Sequence, residues 1–365
     1  MLMNPALSGL RCIRCATLFP PGDYPEGCPS CLEAGHPASL ECVYTPSTSS
    51  VMPLPVLHPI TLGEGGTPCL ESSVLAQAEG VGRLWLKCES ANPTGSHKDR
   101  MAAQLVSRAR LAGATRVAAA SSGNAGVSLA AYCAAAGLQA EIAITRNCPA
   151  LQREAMQRFG ARLTAFEDSL GRWPHVAQLC REQGAFAGTN YLNPPTGTHA
   201  YGVEGYKPIA REIFDHCGLP TDVIVPTARG DLLWGVLLGW QALHRQGLIP
   251  RLPRMHAVEP YARLSRALQT GDARGLWEAG TDQYSIAGGT TTLQSLQALA
   301  RSGGLPVEVS DAAAAQAQQR LERMGLATEL SSAAALAAVT RLRRSGMLDA
   351  ESSVVLILTS DGRRG

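Results

Sequence analysis

The chain has 365 residues, is 45 % apolar and only 5 % aromatic, and carries a formal net charge of +2. That length suits about two domains, and a composition rich in Ala and Gly suits helices packed closely on sheets better than a β-sandwich. Near-neutrality without a dense Lys/Arg face excludes nucleic acid as the main partner, the Arg363–Arg364 ending being too short to change this, and no apolar run is long enough to span a bilayer.

In chain order, the first feature is a pair of CxxC motifs. Cys12 and Cys15 form one, Cys28 and Cys31 the other, with twelve residues between them. Four thiolates on two tight turns suit tetrahedral zinc in a structural site; four ordinary buried cysteines are the alternative. The interval is expected to hold a hairpin, with Gly22 and Pro25 in its turns. His36 and Cys42 lie close by, but no need for them as ligands is expected. Residues 1–45 therefore read as a zinc-ribbon-like segment. A linker rich in Ser, Thr and Pro follows, from Thr45 to Pro59. The N-terminus lacks the pattern of a signal peptide, so a cytoplasmic setting is expected. The eleven cysteines should then be thiols or metal ligands rather than a disulfide framework.

The body alternates strand and helix. Strands are expected at Leu84–Cys88, Val117–Ala120, Ala140–Thr145, Val223–Pro226, Met255–Val258 and Val354–Thr359. Helices are expected at Asp99–Leu111, Ala125–Ala136, Leu151–Phe159 and Leu232–His244. This alternation implies an α/β fold with mainly parallel sheets.

Three segments carry chemistry. In Asn92-Pro93-Thr94-Gly95-Ser96-His97-Lys98-Asp99-Arg100, a loop of small residues delivers one lysine to the start of a helix. Backbone amides there favour anions, and a lysine amine is the group that Schiff-base chemistry requires. Alone, a lysine in a first helical turn reads equally well as a solvated side chain. Ser121-Ser122-Gly123-Asn124-Ala125-Gly126 lies between a strand and a helix and exposes amides suited to a carboxylate or phosphate; a plain βα turn with a Ser cap is the alternative. Gly63-Glu64-Gly65-Gly66-Thr67-Pro68 is, by itself, a loop.

In this order and spacing, the three segments together resemble threonine synthase and its relatives among the fold-type-II enzymes that use pyridoxal 5′-phosphate (PLP). The resemblance covers nearly the whole chain, and CxxC pairs occur at the N-terminus of some members. It implies two α/β domains with PLP in the cleft between them. The small domain would span residues 91–190, and the large PLP domain residues 46–90 and 191–365. It assigns Lys98 as the residue that binds PLP covalently and moves protons at Cα and Cβ. Asn124 would hydrogen-bond the 3′ oxygen of the cofactor. Ser121, Ser122, Gly123 and Ala125 would grip the substrate carboxylate. Thr359 would face the pyridine nitrogen and leave it largely unprotonated; Asp361, two residues on, can face the same side of a strand end. A homodimer acting on a small amino acid is implied as well.

The sequence also departs from that pattern. The phosphate loop is Thr227-Ala228-Arg229-Gly230-Asp231 rather than a Gly/Asn-rich turn. Ala228, Arg229, Gly230 and Asp231 would still line the PLP phosphate. Arg229 adds a charge-assisted contact, and Asp231 is expected to cap the following helix with its side chain turned away. Further on, Asn190, Asn193 and Pro194 are kept, Pro195–Tyr201 is enlarged, and Glu204-Gly205 follow. Gly202 stands where the family's phosphate-binding Arg belongs, with His199 or Lys207 as candidate substitutes for it. Asn190 is a candidate substrate residue. So is His97, as a proton shuttle or a packing residue, where the family usually has Phe.

The leading expectation is PLP-dependent β/γ-elimination or replacement, with conversion of O-phosphohomoserine to threonine the foremost single activity. Two alternatives are kept. One is a β-replacing synthase or deaminase on a serine-, threonine-, cysteine- or phosphoserine-like substrate. The other is a non-catalytic binding or regulatory protein on a decayed PLP fold.

Overall fold

The computed structural model describes residues 1–46 and 51–362. Four residues of the expected linker (47–50) and the Arg363–Arg364 ending lie outside them. The chain opens with β1 (Leu2–Met3), β2 (Leu7–Cys12), β3 (Leu18–Phe19), the short helix α1 (Pro29–Glu33), β4 (Leu40–Tyr44) and β5 (Val56–Leu57). It continues with β6 (Cys69–Glu71), α2 (Ser73–Glu79), β7 (Arg83–Cys88), α3 (Lys98–Leu111), β8 (Arg116–Ala120) and α4 (Asn124–Ala136). Then come β9 (Gln139–Thr145), α5 (Ala150–Arg158), β10 (Arg162–Phe166), α6 (Arg172–Arg181), β11 (Phe186–Ala187), α7 (Ala200–Glu204) and α8 (Lys207–Cys217). β12 (Asp222–Pro226), α9 (Asp231–Arg245), β13 (Arg254–Glu259), α10 (Leu264–Thr270) and α11 (Leu293–Ser302) follow. The last elements are β14 (Pro306–Glu308), α12 (Asp311–Glu322), α13 (Leu330–Arg344) and β15 (Ser353–Leu358).

These elements form two compact units. The first comprises Met1–Glu64, Lys98–Tyr206 and Thr292–Gln294, so the cysteine-rich segment belongs to it. The second comprises Gly65–His97, Lys207–Thr291 and the chain from Ser295 onward.

In the first unit, β10, β9, β8 and β11 make a wholly parallel sheet in that order. Small residues decide the packing against it: Ala102, Ala109 and Ala130 are fully buried, as is Tyr132. Such faces let α3 and α4 lie close on the strands. The cysteine-rich segment adds an antiparallel sheet ordered β3, β2, β4. Its hairpin is built across the first CxxC, not between the two pairs. The amides of Arg14 and Cys15 point back at Cys12 Sγ, at 3.4 and 3.5 Å, which reverses the chain immediately after β2. Part of the expected linker is structured too. β5 pairs antiparallel with β1, and Val56 donates its N–H to Gln104 Oε1 at 3.1 Å.

In the second unit, the sheet order is β14, β13, β12, β15, β7, β6, parallel except at the β6–β7 edge. The central strands read as continuous apolar runs because both faces are covered; Val354 to Leu358 of β15 are all buried. β7 also carries a charge inward. Lys87 is fully buried and donates to Thr67 O at 2.6 Å and Glu212 Oε2 at 2.5 Å, with Glu89 Oε1 at 3.9 Å. Glu89 accepts in turn from Thr67 Oγ1 at 2.7 Å and Asn92 Nδ2 at 2.9 Å. Asn92 Oδ1 accepts the Gly65 amide at 3.0 Å. One buried network thereby joins Gly65–Thr67 to the loop that leads toward Lys98. Among the described residues, no helix is long and apolar enough to cross a membrane.

Candidate functional site

Residues 95–97 are zipped to the end of β15. Asp361 donates its amide to Gly95 O at 2.9 Å, Ser96 bridges Ser360, and the His97 amide donates to Thr359 O at 2.9 Å. His97 Nδ1 lies 3.1 Å from the same carbonyl, so the ring donates from Nδ1. Gly95, at φ +83, permits the turn. Thr359 is buried, and the buried Ser360 hydroxyl beside it lacks a partner. The chain passes from His97 straight into Lys98, the first residue of α3.

Within the first unit, Lys98 Nζ stands 5.7 Å from the centre of the Tyr206 ring. Asp99 accepts Ser128 Oγ at 2.6 Å, which ties the first turn of α3 to the early part of α4. Asn124 opens α4 behind an extended Gly123. The hydroxyls of the Ser121–Ala125 turn are largely used internally. Ser121 Oγ accepts the Gly126 amide at 3.0 Å. Ser122 Oγ accepts from Thr145 N at 2.8 Å and from Arg172 Nη1 at 3.2 Å, and meets Thr145 Oγ1 at 2.9 Å. This turn therefore offers an incoming carboxylate backbone amides rather than the Ser122 hydroxyl.

The loop between β12 and α9 sits in the second unit. Gly230, not Asp231, is the N-cap of α9 (φ +96), and Asp231 falls in the first helical turn. Only glycine fits the cap position, because a Cβ on residue 230 would stand 2.4 Å from Ser295 Cβ. Ala228 and Arg229 are partly exposed. Even so, burial of the Arg229 guanidinium pushes its pKa down, against the pull of Asp231. Arg263, which no motif signals, is buried beneath the loop. It donates to Thr227 O at 2.8 Å, to Ile286 O at 3.3 Å and to Gly288 O, while its Nε has no partner. Arg229 and the glycine-capped start of α9 thus put positive charge where an anion would be favoured, whereas Arg263 spends its Nη groups on loop carbonyls.

The remaining candidates lie on residues 190–205 of the first unit. Asn190 spends both ends of its side chain on its own loop: Nδ2 donates to Leu192 O at 2.8 Å and Oδ1 accepts the Thr196 amide at 3.0 Å. A Cβ on Gly202 would lie 3.1 Å from Met101 Cγ, and one on Gly205 only 2.0 Å from Arg100 O. Lys207, in the second unit, is buried. His199 packs on Phe186 and Tyr201 with ring centroids 5.4 and 5.3 Å away, and neither ring nitrogen has a hydrogen-bond partner. Burial pushes its pKa down to about 4; Asp23 opposes this shift and Arg108 adds to it. A neutral imidazole is not the cation a phosphate group needs, so His199 does not replace the missing arginine.

That shift has a measurable consequence. Between the folded value of about 4 and the ordinary 6.5, the unfolded chain binds the extra proton. Stability is therefore full above pH 6.5 and falls as pH drops toward 4, by about 3 kcal/mol in all. His199→Phe is expected to erase this acid-linked loss while costing little at pH 7, since it removes two unpartnered buried nitrogens. Urea titrations of both proteins at pH 7 and pH 5 check this; an equal acid loss in the variant would contradict it.

The four CxxC sulfurs lie within 4.8 Å of one another. Cys12–Cys31 and Cys15–Cys28 are each 3.7 Å apart, close to the edge of about 3.8 Å for a tetrahedron with metal–sulfur bonds of about 2.3 Å. His36 is exposed and, like Cys42, outside the group.

A family model described as pyridoxal-phosphate dependent enzyme matches residues 60–360. The chain belongs to that family, and its fold is of type II. It performs PLP-dependent elimination or replacement on a small amino acid. Among curated relatives, it is similar to threonine synthase of Methanosarcina acetivorans, 29% identical over 280 residues (73% of this chain, 67% of that protein). It is 30% identical over 307 residues to that of Halalkalibacterium halodurans (83% and 84%). The match to threonine synthase of Methanocaldococcus jannaschii, 34% identical, spans about half of that protein (49%). Maize serine racemase has the same fold, with TM-score 0.71, 21% identity and coverage of 81% of this chain and 88% of that one. So has an L-serine ammonia-lyase from Rhizomucor miehei, with TM-score 0.69, 23% identity and coverage of 81% and 94%. In the first unit Lys98 places an amine at a helix start, and in the second the buried Thr359 and the glycine-capped start of α9 offer a hydroxyl and backbone amides; residues of these kinds fit the cofactor.

Proposed function

We propose that the chain converts O-phosphohomoserine to threonine. The observation that carries this reading is the position of Lys98, the first residue of α3, directly after a loop zipped to residues 359–361. PLP, when bound, supplies a sink for negative charge developing at the substrate Cα. Lys98 would hold it and move protons at Cα and Cβ. Asn124 would bond its 3′ oxygen and Thr359 its ring nitrogen. Ala228, Arg229 and the start of α9 would hold its phosphate. Amides of the Ser121–Ala125 turn would orient the substrate carboxylate, and His97 would act as a proton shuttle or packing residue for the substrate. Incubating the PLP-loaded protein with O-phosphohomoserine is expected to release threonine and inorganic phosphate in equal amounts. A loaded protein that releases neither overturns the proposal.

Gly202 favours a second reading, elimination or replacement on a serine-, threonine-, cysteine- or phosphoserine-like substrate. The position carries no side chain and is walled by Met101 and Leu105. Ammonia or keto-acid release from a panel of those amino acids separates the two.

Zinc at Cys12, Cys15, Cys28 and Cys31 is part of the same proposal, supported by the spacing of the sulfurs. A cytoplasmic setting is supported by all eleven cysteines being free thiols. A homodimer rests on the family resemblance.

A further inference from the structure

The residues joining the two cysteine pairs hold a second segment of the same unit. The Gly22 amide donates to Tyr201 OH at 3.1 Å. Asp23 takes a two-pronged ion pair from Arg108, at 2.8 and 2.6 Å, and that guanidinium in turn stands 5.5 Å from the centre of the Tyr201 ring. Glu26 Oε1 accepts from Arg181 Nε at 2.6 Å and Tyr191 OH at 3.1 Å. Gly27 (φ +75) packs so tightly that a Cβ would stand 2.3 Å from Thr196 Oγ1. Further along, Tyr44 OH donates to Glu204 Oε2 at 2.7 Å. Tyr191, Thr196, Tyr201 and Glu204 all belong to residues 190–204. No strand or helix covers residues 188–199, so that stretch has no ladder of its own to fix it.

The seam between the two segments is not an apolar core. It borders a small cleft lined in part by Tyr24, Gly27, Ser39, Thr196 and His199. The buried hydroxyls of Ser39 and Thr196 lack partners there. Order across such a seam depends on the stiffness of its polar links. Those links start from Gly22–Gly27, and Gly27 adjoins Cys28. A metal bound by all four cysteines would close the interval between the pairs into a loop and remove chain entropy from it, as any cross-link does.

We propose that the cysteine cluster, closed on a divalent metal, braces residues 190–204 through Gly22, Asp23, Glu26 and Gly27, and so sets how well that segment receives the amino-acid substrate. The brace is independent of the proposed reaction; only its effect on substrate rests on that reading.

Hydrogen exchange on the full-length protein tests it, with zinc content measured alongside. Removing zinc with a chelator is expected to speed exchange in residues 190–204 by roughly tenfold or more, together with residues 10–44, while β9 and β10 stay unchanged. Added Zn2+ restores protection. Asp23→Asn with Glu26→Gln keeps all four cysteines and their zinc, and is expected to loosen residues 190–204 together with the ends of α3 and α6 that hold Arg108 and Arg181. Unchanged exchange there, in either the stripped protein or the zinc-loaded double variant, overturns the brace. So does a protein that takes up no zinc. If the stripped protein unfolds altogether, the double variant decides. With O-phosphohomoserine, the double variant should raise KM about fivefold or more with kcat nearly unchanged. Loosened exchange with unaltered KM overturns the link to substrate; no turnover even in the wild type points to the assigned reaction instead.

Discussion

Lys98→Ala is expected to cut turnover by at least about a thousandfold and to remove the visible absorption band of lysine-bound PLP. The fold should survive. Ala favours a helix more than Lys does, and the first turn of α3 keeps its bond from Ser128 to Asp99. The preceding loop keeps its backbone bonds to Thr359 and Asp361. The amine stands over the Tyr206 ring. Absorption spectra and a thermal melt of both proteins check this together. A variant that keeps both band and turnover would remove Lys98 from the chemistry. A colourless wild type in added PLP would place the fault in the phosphate loop at Ala228–Asp231.

The second large effect concerns stability. Lys87→Met is expected to cost about 3–5 kcal/mol, because removing one partner of a buried ion pair strands the other. Glu89 is fully buried and would lose the Lys87 ammonium 3.9 Å away, while Thr67 O would lose the bond from Lys87 Nζ. Met fills nearly the same volume, so the loss is electrostatic rather than a cavity. Adding Glu89→Gln should recover part of it, since the stranded charge is then gone. Urea unfolding of the wild type, single and double variants reads the difference. A double variant weaker than the single one by the full cost of a second defect would refute the charge argument.

What was legible beforehand follows from distance along the chain. Buried strands announce themselves as apolar runs: Val354–Thr359 was expected, and β15 is Ser353–Leu358. β10 escaped because it is a sheet edge whose Arg162, Thr164 and Ala165 face outward, so no apolar run marks it. α8 also escaped. It starts Lys-Pro, and its buried stripe of Ile209, Ala210 and Ile213 appears only at helical spacing. The candidate site shows the same divide. Lys98, Asn124 and Thr359 each sit in a contiguous motif. Lys87 and Glu212 pair across 125 positions, and Arg263 reaches Thr227 across 36; nothing local signals either. The Asp231 cap was misplaced by one residue because Gly230, in a left-handed conformation, takes the role. Residue type alone makes His199 a candidate phosphate partner, and its burial disfavours the charge that role needs.

The crowding at Gly202 and Gly205 limits how this enzyme can be redesigned. Grafting the arginine that threonine synthases carry onto position 202 would drive a long cation into Met101 and Leu105, and a side chain at 205 would strike the carbonyl of Arg100. Both obstacles lie on α3, within a few residues of Lys98. A directed-evolution library varied at these two glycines would therefore lose members through displacement of the lysine's own helix, whatever substrate was used for selection.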